Sequence, residues 1–378
     1  MGTQKTKSGI MRLVRPHLRE LVGYTGVQPV DKVVREAETE GREPVSQEPI
    51  KLDGNENPYG PSPRLQQIVG DDSFFHLYPD PDHRELRAAL SEYVGVGPEH
   101  IVVGNGADEI LDLVARLLLE PEDKVINCPP TFGMYRFIVD ICGAREVDVA
   151  RTSSYDLDID AIQKAIDDRT KIVFVTSPNN PTGNSVTDEE IVQLLDTGVA
   201  VVVDEAYYEF CGQSVVPLVT RYDNLMVIRT FSKWAGLAGV RIGYGAFSPN
   251  IAAYLSRIKM PYNLSVFAQR AALESLKDRD YLMGNVEKIK KERERMYAQL
   301  SKLDFLHPIP SHGNYILCQV LKGDARRLYE QLQQRRILIR YFDTQGLRNF
   351  VRISAGKPEH TDAVVEALRS IGEELDVE

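Results

Sequence analysis

Residues 199–203 read Val-Ala-Val-Val-Val, and Asp204-Glu205-Ala206-Tyr207 follows directly. A short, continuous apolar run rich in valine is typical of a strand buried on both faces of a mostly parallel sheet. The sequence therefore predicts a buried sheet at the centre of the fold. Four further runs share this character, and they lie at residues 101–103, 124–126, 171–176 and 225–228.

Segments with helical periodicity separate these runs, as expected when helices connect parallel strands. The clearest is Asp108 to Leu119, and residues 160–168 and 188–196 also fit a helix. This alternation predicts an α/β fold. After about residue 255 the pattern changes to a long charged helix over 266–302, short apolar segments at 314–317, 336–342 and 350–354, and a helix over 359–375.

The change of pattern predicts three regions along the chain. Residues 1–50 would form an N-terminal arm and linker that packs on the smaller domain, and their charged part at 31–49 would be a short helix running into a connector. Residues 51–260 would form the large domain. Residues 261–378 would form the smaller α+β domain, with Pro261 in the transition.

The composition argues against several classes of protein. The chain has 378 residues and a net charge of −10, which disfavours broad binding to nucleic acid. Its four cysteines are widely spaced without a CxxC pair, so we expect free thiols in a reducing compartment and no metal site. Apolar runs stay well short of the ~20 residues of a membrane span, and Met1–Lys7 lacks the apolar core of a signal peptide. We therefore expect a soluble cytoplasmic protein that binds no membrane.

Lys233 stands in a context that suggests chemistry. It follows an apolar run and the hydroxyl residues Thr230 and Ser232, and it precedes a glycine-rich stretch that leads to Arg241. Hydroxyls and an arginine suit a phosphate, and glycines let the backbone approach a ligand. A lysine desolvated in such a place could have a lowered pKa, which is the condition for imine chemistry.

Other polar residues also come directly after the predicted strands. Asp204 follows 199–203, and Asn180 lies in Ser177-Pro178-Asn179-Asn180-Pro181-Thr182-Gly183 after 171–176. Ligands of open α/β sheets bind at the carboxyl ends of strands. Taken alone, Asp204 fits a helix cap or a turn better, and the segment around Asn180 fits a simple turn.

Three weaker signals complete the set. Gly104–Glu109 joins a strand to a helix, where free N–H groups can bind an anion. Pro130–Tyr135 contains aromatic residues that could stack on a ring or simply fill the core. Arg340 and Arg352 lie in apolar segments, where an arginine needs a partner such as a carboxylate, a phosphate or a structural acid.

Together these segments resemble the fold-type I pyridoxal-phosphate aminotransferases, and within them the histidinol-phosphate aminotransferases. The resemblance runs from Tyr24 to Arg352, with the motifs in family order. The motifs are LDGNENPYG at 52–60, YPD at 78–80, GADE at 106–109, SPNNPTG at 177–183, DEAYYEF at 204–210 and RTFSKWAGLAGVRIGY at 229–244.

The resemblance implies a large cofactor-binding domain with a mostly parallel seven-stranded sheet and a smaller α+β domain. It implies pyridoxal 5′-phosphate as the cofactor, held as a Schiff base by Lys233, which would also transfer protons. Asp204 would bind the pyridinium nitrogen, while Tyr207 and Asn180 would hold the ring oxygen. The other implied cofactor contacts are Phe132 stacked on the ring, Ala107, Asp108, Thr230, Ser232 and Arg241 at the phosphate, and Tyr78 from the neighbouring subunit of a homodimer.

The resemblance also implies the substrates, a small-molecule amino donor and a 2-oxo acid. Arg352 would bind a substrate carboxylate, Asn180 would also contact the substrate, and Arg340 with Tyr24 would bind a distal phosphate. The implied reaction transfers an amino group between L-histidinol phosphate and 2-oxoglutarate, in histidine biosynthesis. The alternatives are an aromatic amino acid aminotransferase, a threonine-phosphate decarboxylase, and a regulatory protein that kept the fold without the chemistry.

Three positions depart from the family pattern. Trp234 follows the lysine where a small residue is usual, and Ala235 stands where an aromatic is common. Phe132 replaces an expected tyrosine, which removes a hydroxyl but keeps a stacking face. These departures leave the packing beside Lys233 open.

Overall fold

The structure, a computed structural model, describes residues 13–24, 26–27, 49–69, 76–344 and 346–375. The helix and connector predicted at 31–49 therefore lie outside the described residues, apart from residue 49. The strands within the described ranges are β1 (Ile50–Lys51), β2 (Ile101–Gly104), β3 (Lys124–Asn127), β4 (Arg145–Asp148), β5 (Thr170–Thr176), β6 (Ala200–Asp204), β7 (Leu225–Thr230), β8 (Gly243–Ala246), β9 (Leu306–Pro308), β10 (Tyr315–Val320), β11 (Ile337–Leu338), β12 (Arg340–Tyr341) and β13 (Phe350–Ser354).

The large sheet contains seven strands in the order β2-β8-β7-β6-β5-β3-β4. Strand β8 runs antiparallel to both of its neighbours, and the other pairs are parallel. This arrangement confirms the predicted α/β fold and its mostly parallel seven-stranded sheet. Asp204, the last residue of β6, pairs with Thr176 on one side and Ile228 on the other, so the ends of three adjacent strands meet at one edge.

Burial on both faces explains the continuous apolar runs. In β6, Val201 and Val203 pack into one hydrophobic cluster, while Val202 packs into a second cluster on the opposite face. Successive side chains of a strand point to opposite faces, so a strand covered on both sides must be apolar throughout. Burial on both faces is therefore the physical reason for the continuous apolar runs that predict a parallel sheet.

Helices cover the sheet and connect its strands. The helix predicted at 108–119 begins two residues earlier and packs on β2, β7 and β8. The α-helices of the described ranges are α1 (Leu65–Val69), α2 (Arg84–Val94), α3 (Gly106–Leu118), α4 (Met134–Cys142), α5 (Ile159–Ala165), α6 (Asp188–Leu195), α7 (Tyr208–Cys211), α8 (Pro249–Ile258), α9 (Val266–Lys277), α10 (Arg279–Leu300), α11 (Ala325–Gln334) and α12 (Pro358–Leu375).

The long helix predicted over 266–302 is two helices. Helix α9 ends at Lys277, and α10 begins at Arg279. Asp278 between them has φ −109° and ψ 26°, and its carboxylate accepts a 2.5 Å hydrogen bond from the Ser62 hydroxyl. The non-helical backbone of Asp278 interrupts the continuous pattern of helical residues.

The chain after α10 forms a four-stranded antiparallel sheet in the order β12-β13-β10-β9. The apolar run predicted at 336–342 divides into β11 and β12, because β11 pairs with β1 while β12 pairs with β13. Strands β2 to β8 end by Ala246 and β9 begins at Leu306, which is compatible with the predicted boundary near residue 260. The division into domains stays a prediction.

The described helices include none that is both long and apolar enough to cross a membrane. The four cysteines are free thiols, as predicted, with Cys128 and Cys318 buried and Cys142 and Cys211 half-buried.

Candidate active site

A cavity of about 1760 Å³ opens at the carboxyl ends of β5, β6 and β7. Side chains from the large sheet and from β12 and β13 line it, so it lies between the two sheets. Of the predicted site residues, Tyr78 alone lies outside this cavity. The cavity brings together Tyr24, Ala107, Asp108, Phe132, Asn180, Asp204, Tyr207, Thr230, Ser232, Lys233, Arg241, Arg340 and Arg352.

Lys233 lies in the turn that follows β7. Its Nζ donates a 2.8 Å hydrogen bond to the Gly54 carbonyl oxygen. Burial lowers the pKa of Lys233 to about 8, and the nearby Glu56 carboxylate only partly opposes this effect. The side chain is therefore an amine with a substantial neutral fraction near physiological pH.

Asp204 is buried at the end of β6, with 4% of its surface exposed. One carboxylate oxygen accepts a 2.8 Å hydrogen bond from the Tyr135 hydroxyl, and the other accepts a 2.9 Å bond from the Ala206 N–H. Burial raises the pKa of Asp204 to about 6, while the two hydrogen bonds lower it. The carboxylate is thus a desolvated anion that could pair with a cation in the cavity.

The Tyr207 hydroxyl is bound by a residue that does not belong to the large sheet. Its hydroxyl accepts a 2.9 Å hydrogen bond from the Asn55 side-chain amide, and burial raises the pKa of Tyr207 to about 12. Asn55 adopts a left-handed backbone with φ 55°. Its carbonyl accepts a bond from Asn314, and its side-chain oxygen accepts one from the Ser354 hydroxyl. Burial therefore keeps the tyrosine in its neutral form, and the bonds through Asn55 fix the position of its hydroxyl.

Arg241 lines the cavity beside the start of α3. Its Nη2 donates a 2.7 Å hydrogen bond to Asp108, and the Thr230 and Ser232 hydroxyls lie 2.9 Å apart nearby in the same lining. A Cβ on Gly106, which has φ 78°, would lie 2.4 Å from Arg241 Nη2. The left-handed backbone at this position favours glycine, which also leaves room for the arginine beside the helix start.

Arg352 projects from β13 and is 5% exposed. Its Nη1 donates a 2.6 Å hydrogen bond to Asn180 Oδ1, and its Nη2 donates a 2.5 Å bond to the Asp53 carbonyl. Its Nε is buried and lacks a partner among the described residues. An arginine oriented in this way could bind a carboxylate in the cavity.

Arg340 and Tyr24 lie at another part of the wall. Arg340 Nη1 donates a 3.2 Å hydrogen bond to the Gly26 carbonyl, so it contacts the same N-terminal segment that carries Tyr24. The Tyr24 ring meets Phe132 edge-on, with 6.1 Å between ring centroids. The segment before β1 thus contributes an aromatic side chain beside a cation.

Tyr78 has a different setting. It is 81% exposed and stacks on Tyr262, with ring centroids 4.5 Å apart. Trp234, the departure beside Lys233, is fully buried and stacks on Tyr93 at 5.6 Å. Trp234 therefore fills the core rather than the cavity, and Ala235 is buried as well.

The sequence pattern missed Tyr135 and Asn55 as contributors to the site. Tyr135 stands three residues after Phe132 on the first turn of α4, and from the sequence alone it fits either a stacking or a core aromatic. Asn55 belongs to a quoted motif, but its bond to Tyr207 spans 152 residues. The contact across this separation leaves no local signal.

Comparison with known proteins gives consistent results. The family model described as Aminotransferase class I and II matches residues 47–368. The chain is 46% identical over 364 residues to a histidinol-phosphate aminotransferase of Dehalococcoides mccartyi, covering 96% of this chain and 99% of that one. It is 44% identical to the chloroplastic histidinol-phosphate aminotransferase 1 of Arabidopsis thaliana, covering 94% and 85%.

A solved structure is similar over the same range. The crystal structure of histidinol-phosphate aminotransferase from Sinorhizobium meliloti in complex with pyridoxal-5′-phosphate matches with a TM-score of 0.83 and 26% identity. The match covers 94% of this chain and 97% of that one. The likeness therefore includes both the large sheet and the segments that follow it.

Proposed function

The chain belongs to the aminotransferase class I and II family, and from this premise we propose that it transfers an amino group between L-histidinol phosphate and 2-oxoglutarate. It is a pyridoxal-phosphate-dependent aminotransferase, a role consistent with histidine biosynthesis. The observation that carries the choice of donor is the 46% identity to a histidinol-phosphate aminotransferase over nearly the full length of both chains.

The cofactor is pyridoxal 5′-phosphate, and the cavity residues fit it. Lys233 offers an amine of lowered pKa, Asp204 a buried carboxylate, and Arg241 a cation beside two hydroxyls. These are the partners that an aldehyde, a pyridinium nitrogen and a phosphate require. When bound, the cofactor supplies an electron sink that stabilises negative charge at the substrate Cα.

The residues of the chain supply the remaining functions in this proposal. Lys233 would hold the cofactor through its aldehyde, and when its amine is free it would move a proton to and from the substrate Cα as general acid and base. Asp204 holds the ring nitrogen protonated, while Tyr207 and Asn180 bind the ring oxygen. Phe132 packs on the ring face. At the phosphate stand Ala107, Asp108, Thr230, Ser232 and Arg241.

Substrate recognition would depend on two arginines. Arg352, oriented by Asn180 and the Asp53 carbonyl, binds the carboxylate of the 2-oxo acid. Arg340 and Tyr24 bind the distal phosphate of the amino donor, and their positions on one cavity wall support this role. A cation that pairs with phosphate distinguishes this donor from an aromatic amino acid, which has a carboxylate and a ring but no phosphate.

The proposal includes a cytoplasmic homodimer. Tyr78 would reach the cofactor phosphate of the neighbouring subunit, and its exposed position outside its own cavity supports a role in a second chain. Further exposed apolar side chains lie beside it, namely its sequence neighbour Leu77 and its stacking partner Tyr262. Such side chains suit a surface between subunits.

The test of substrate choice compares histidinol phosphate with unphosphorylated histidinol as amino donors to 2-oxoglutarate. Arg340→Ala should lower kcat/KM for histidinol phosphate about tenfold or more, because a charged hydrogen-bond partner of the phosphate is lost. Its effect on histidinol, which lacks the phosphate, should be small.

The matched control is Arg348→Ala. Arg348 is an exposed arginine that lies outside the cavity lining and pairs with Asp343, so its removal should leave both donors unaffected. Equal turnover of the two donors by the unaltered enzyme would overturn the phosphate role. Release of carbon dioxide from phosphothreonine, or preference for an aromatic amino acid, would select one of the alternative activities.

A further inference from the structure

Tyr135 is buried behind the cavity rather than in its lining. It is 1% exposed and stacks on Phe174, with ring centroids 4.6 Å apart and planes 7° apart. Its ring also meets Phe132 edge-on at 5.6 Å. These contacts fix the ring, so its hydroxyl is confined to one position.

That hydroxyl lies between two oxygen atoms. It is 2.8 Å from Asp204 Oδ2 and 2.7 Å from Thr176 Oγ1. An ionised carboxylate can only accept, so the single hydroxyl proton of Tyr135 goes to Asp204. Thr176 can then donate its own proton to Tyr135 or to the Thr131 hydroxyl, 3.1 Å away.

The next hydroxyl is committed in the same way. Thr131 donates to Asn179 Oδ1 at 2.8 Å, and the amide of Asn179 donates to Thr182 Oγ1 at 2.7 Å. Each buried group in this hydrogen-bond network has a partner when Asp204 is charged. The network therefore favours the ionised form of a carboxylate that burial alone would neutralise.

We propose that Tyr135 is a positioning residue that keeps the Asp204 carboxylate ionised and directed into the cavity, and so strengthens binding of the protonated ring nitrogen of the cofactor. This inference rests on the proposed function, since it requires pyridoxal phosphate in the cavity. Tyr135 Oη is bonded to one oxygen of Asp204, and the Ala206 N–H is bonded to the other. With both oxygens held, the carboxylate plane cannot rotate away from the ring.

The test measures the dissociation constant of pyridoxal 5′-phosphate for the full-length apoprotein, so it does not depend on any amino donor. Tyr135→Phe keeps the ring and removes the hydroxyl. We expect binding to weaken about tenfold or more, which is the usual effect of losing a hydrogen bond to a charged group.

Two further measurements distinguish loss of the Tyr135–Asp204 hydrogen bond from a general structural effect of the substitution. In an Asp204→Asn background the same Tyr135→Phe change should weaken binding less than about twofold, because the partner carboxylate is gone. In the Tyr135→Phe variant alone, the loss of affinity on acidification should begin at a higher pH than in the unaltered protein, because Asp204 then takes up its proton more readily.

Tyr93→Phe is the matched control. The Tyr93 hydroxyl also donates to a buried carboxylate, that of Glu209 at 3.0 Å, but Tyr93 does not line the cavity. Its loss should change the dissociation constant less than about twofold. Thermal unfolding of each apoprotein verifies that the variants are folded.

The outcomes separate this inference from the proposed function. If the unaltered protein binds pyridoxal phosphate but Tyr135→Phe binds it equally well, or weakens binding to the same degree in the Asp204→Asn background, the inference is wrong. If the unaltered protein does not bind the cofactor at all, the proposed function fails first.

Discussion

The surroundings of Lys233 determine the pKa of its amine. Its recorded hydrogen-bond partner is the Gly54 carbonyl, a neutral acceptor, rather than a carboxylate. Burial disfavours the ammonium form, and the nearby Arg352 and Lys51 add to that effect, while Glu56 and Asp108 oppose it. The balance lowers the pKa of Lys233 to about 8, well below that of an ordinary lysine.

This lowered pKa predicts how the apoprotein captures its cofactor. Only the neutral amine attacks an aldehyde, so the initial rate of covalent labelling by pyridoxal phosphate and borohydride should rise with pH to a midpoint near the pKa of Lys233. Peptide mapping should place the label on Lys233. A midpoint close to that of an ordinary lysine, or a label that survives in Lys233→Ala, would contradict the assignment.

At the residue scale, cavity-lining side chains could be predicted from the sequence where they follow a recognisable strand. Lys233 and Asp204 both lie at or just beyond a strand end, in strings of distinctive composition. Tyr135 and Asn55 were missed because their partners, Asp204 and Tyr207, are 69 and 152 residues away. Contacts between residues so distant in sequence form only in the folded protein, and no local sequence pattern predicts them.

At the scale of elements, the turn between β7 and β8 depends on one glycine. Gly236 has φ 68°, and a Cβ there would lie 2.6 Å from the Gly60 carbonyl carbon and oxygen. Backbone cannot yield as a flexible side chain does. The turn that carries Lys233 is therefore packed directly against the segment after β1.

Gly236→Ala should lower the free energy of unfolding by more than the roughly 1–2 kcal/mol that a left-handed backbone alone costs a non-glycine residue. Gly239→Ala is the control, because a Cβ at Gly239 meets nothing within 4 Å. Denaturant unfolding of both apoproteins measures the difference. Equal stability of the two variants would show that the turn tolerates a side chain.

Two strands of the large sheet, β4 and β8, could not be predicted from the sequence. Strand β4 reads Arg-Glu-Val-Asp, and β8 reads Gly-Tyr-Gly-Ala, so neither forms the valine-rich run that identified the other strands. Strand β4 lies at the sheet edge, where charged side chains are tolerated. The glycines of β8 admit close neighbours, since a Cβ on Gly243 would lie 2.5 Å from the Ala107 nitrogen. Neither strand could therefore be recognised from its local composition.

At the scale of the whole molecule, the cavity requires both sheets. Arg352 comes from the four-stranded sheet and bonds to Asn180 at the edge of the seven-stranded sheet. Strand β1 pairs with β11, which ties the start of the large region to the later part of the chain. Alternating strands and helices could predict the α/β class from sequence, but the strand order and these cross-chain contacts arise only on folding.

The most direct measurement of the central claim follows the absorbance of the purified protein loaded with pyridoxal phosphate. L-histidinol phosphate is added first without an oxo acid, and 2-oxoglutarate is added afterwards. We expect conversion of the cofactor to its amine form in the first step, then return of the aldehyde form with one glutamate produced per cofactor. A cofactor that stays in the aldehyde form with histidinol phosphate would rule out the proposed amino transfer.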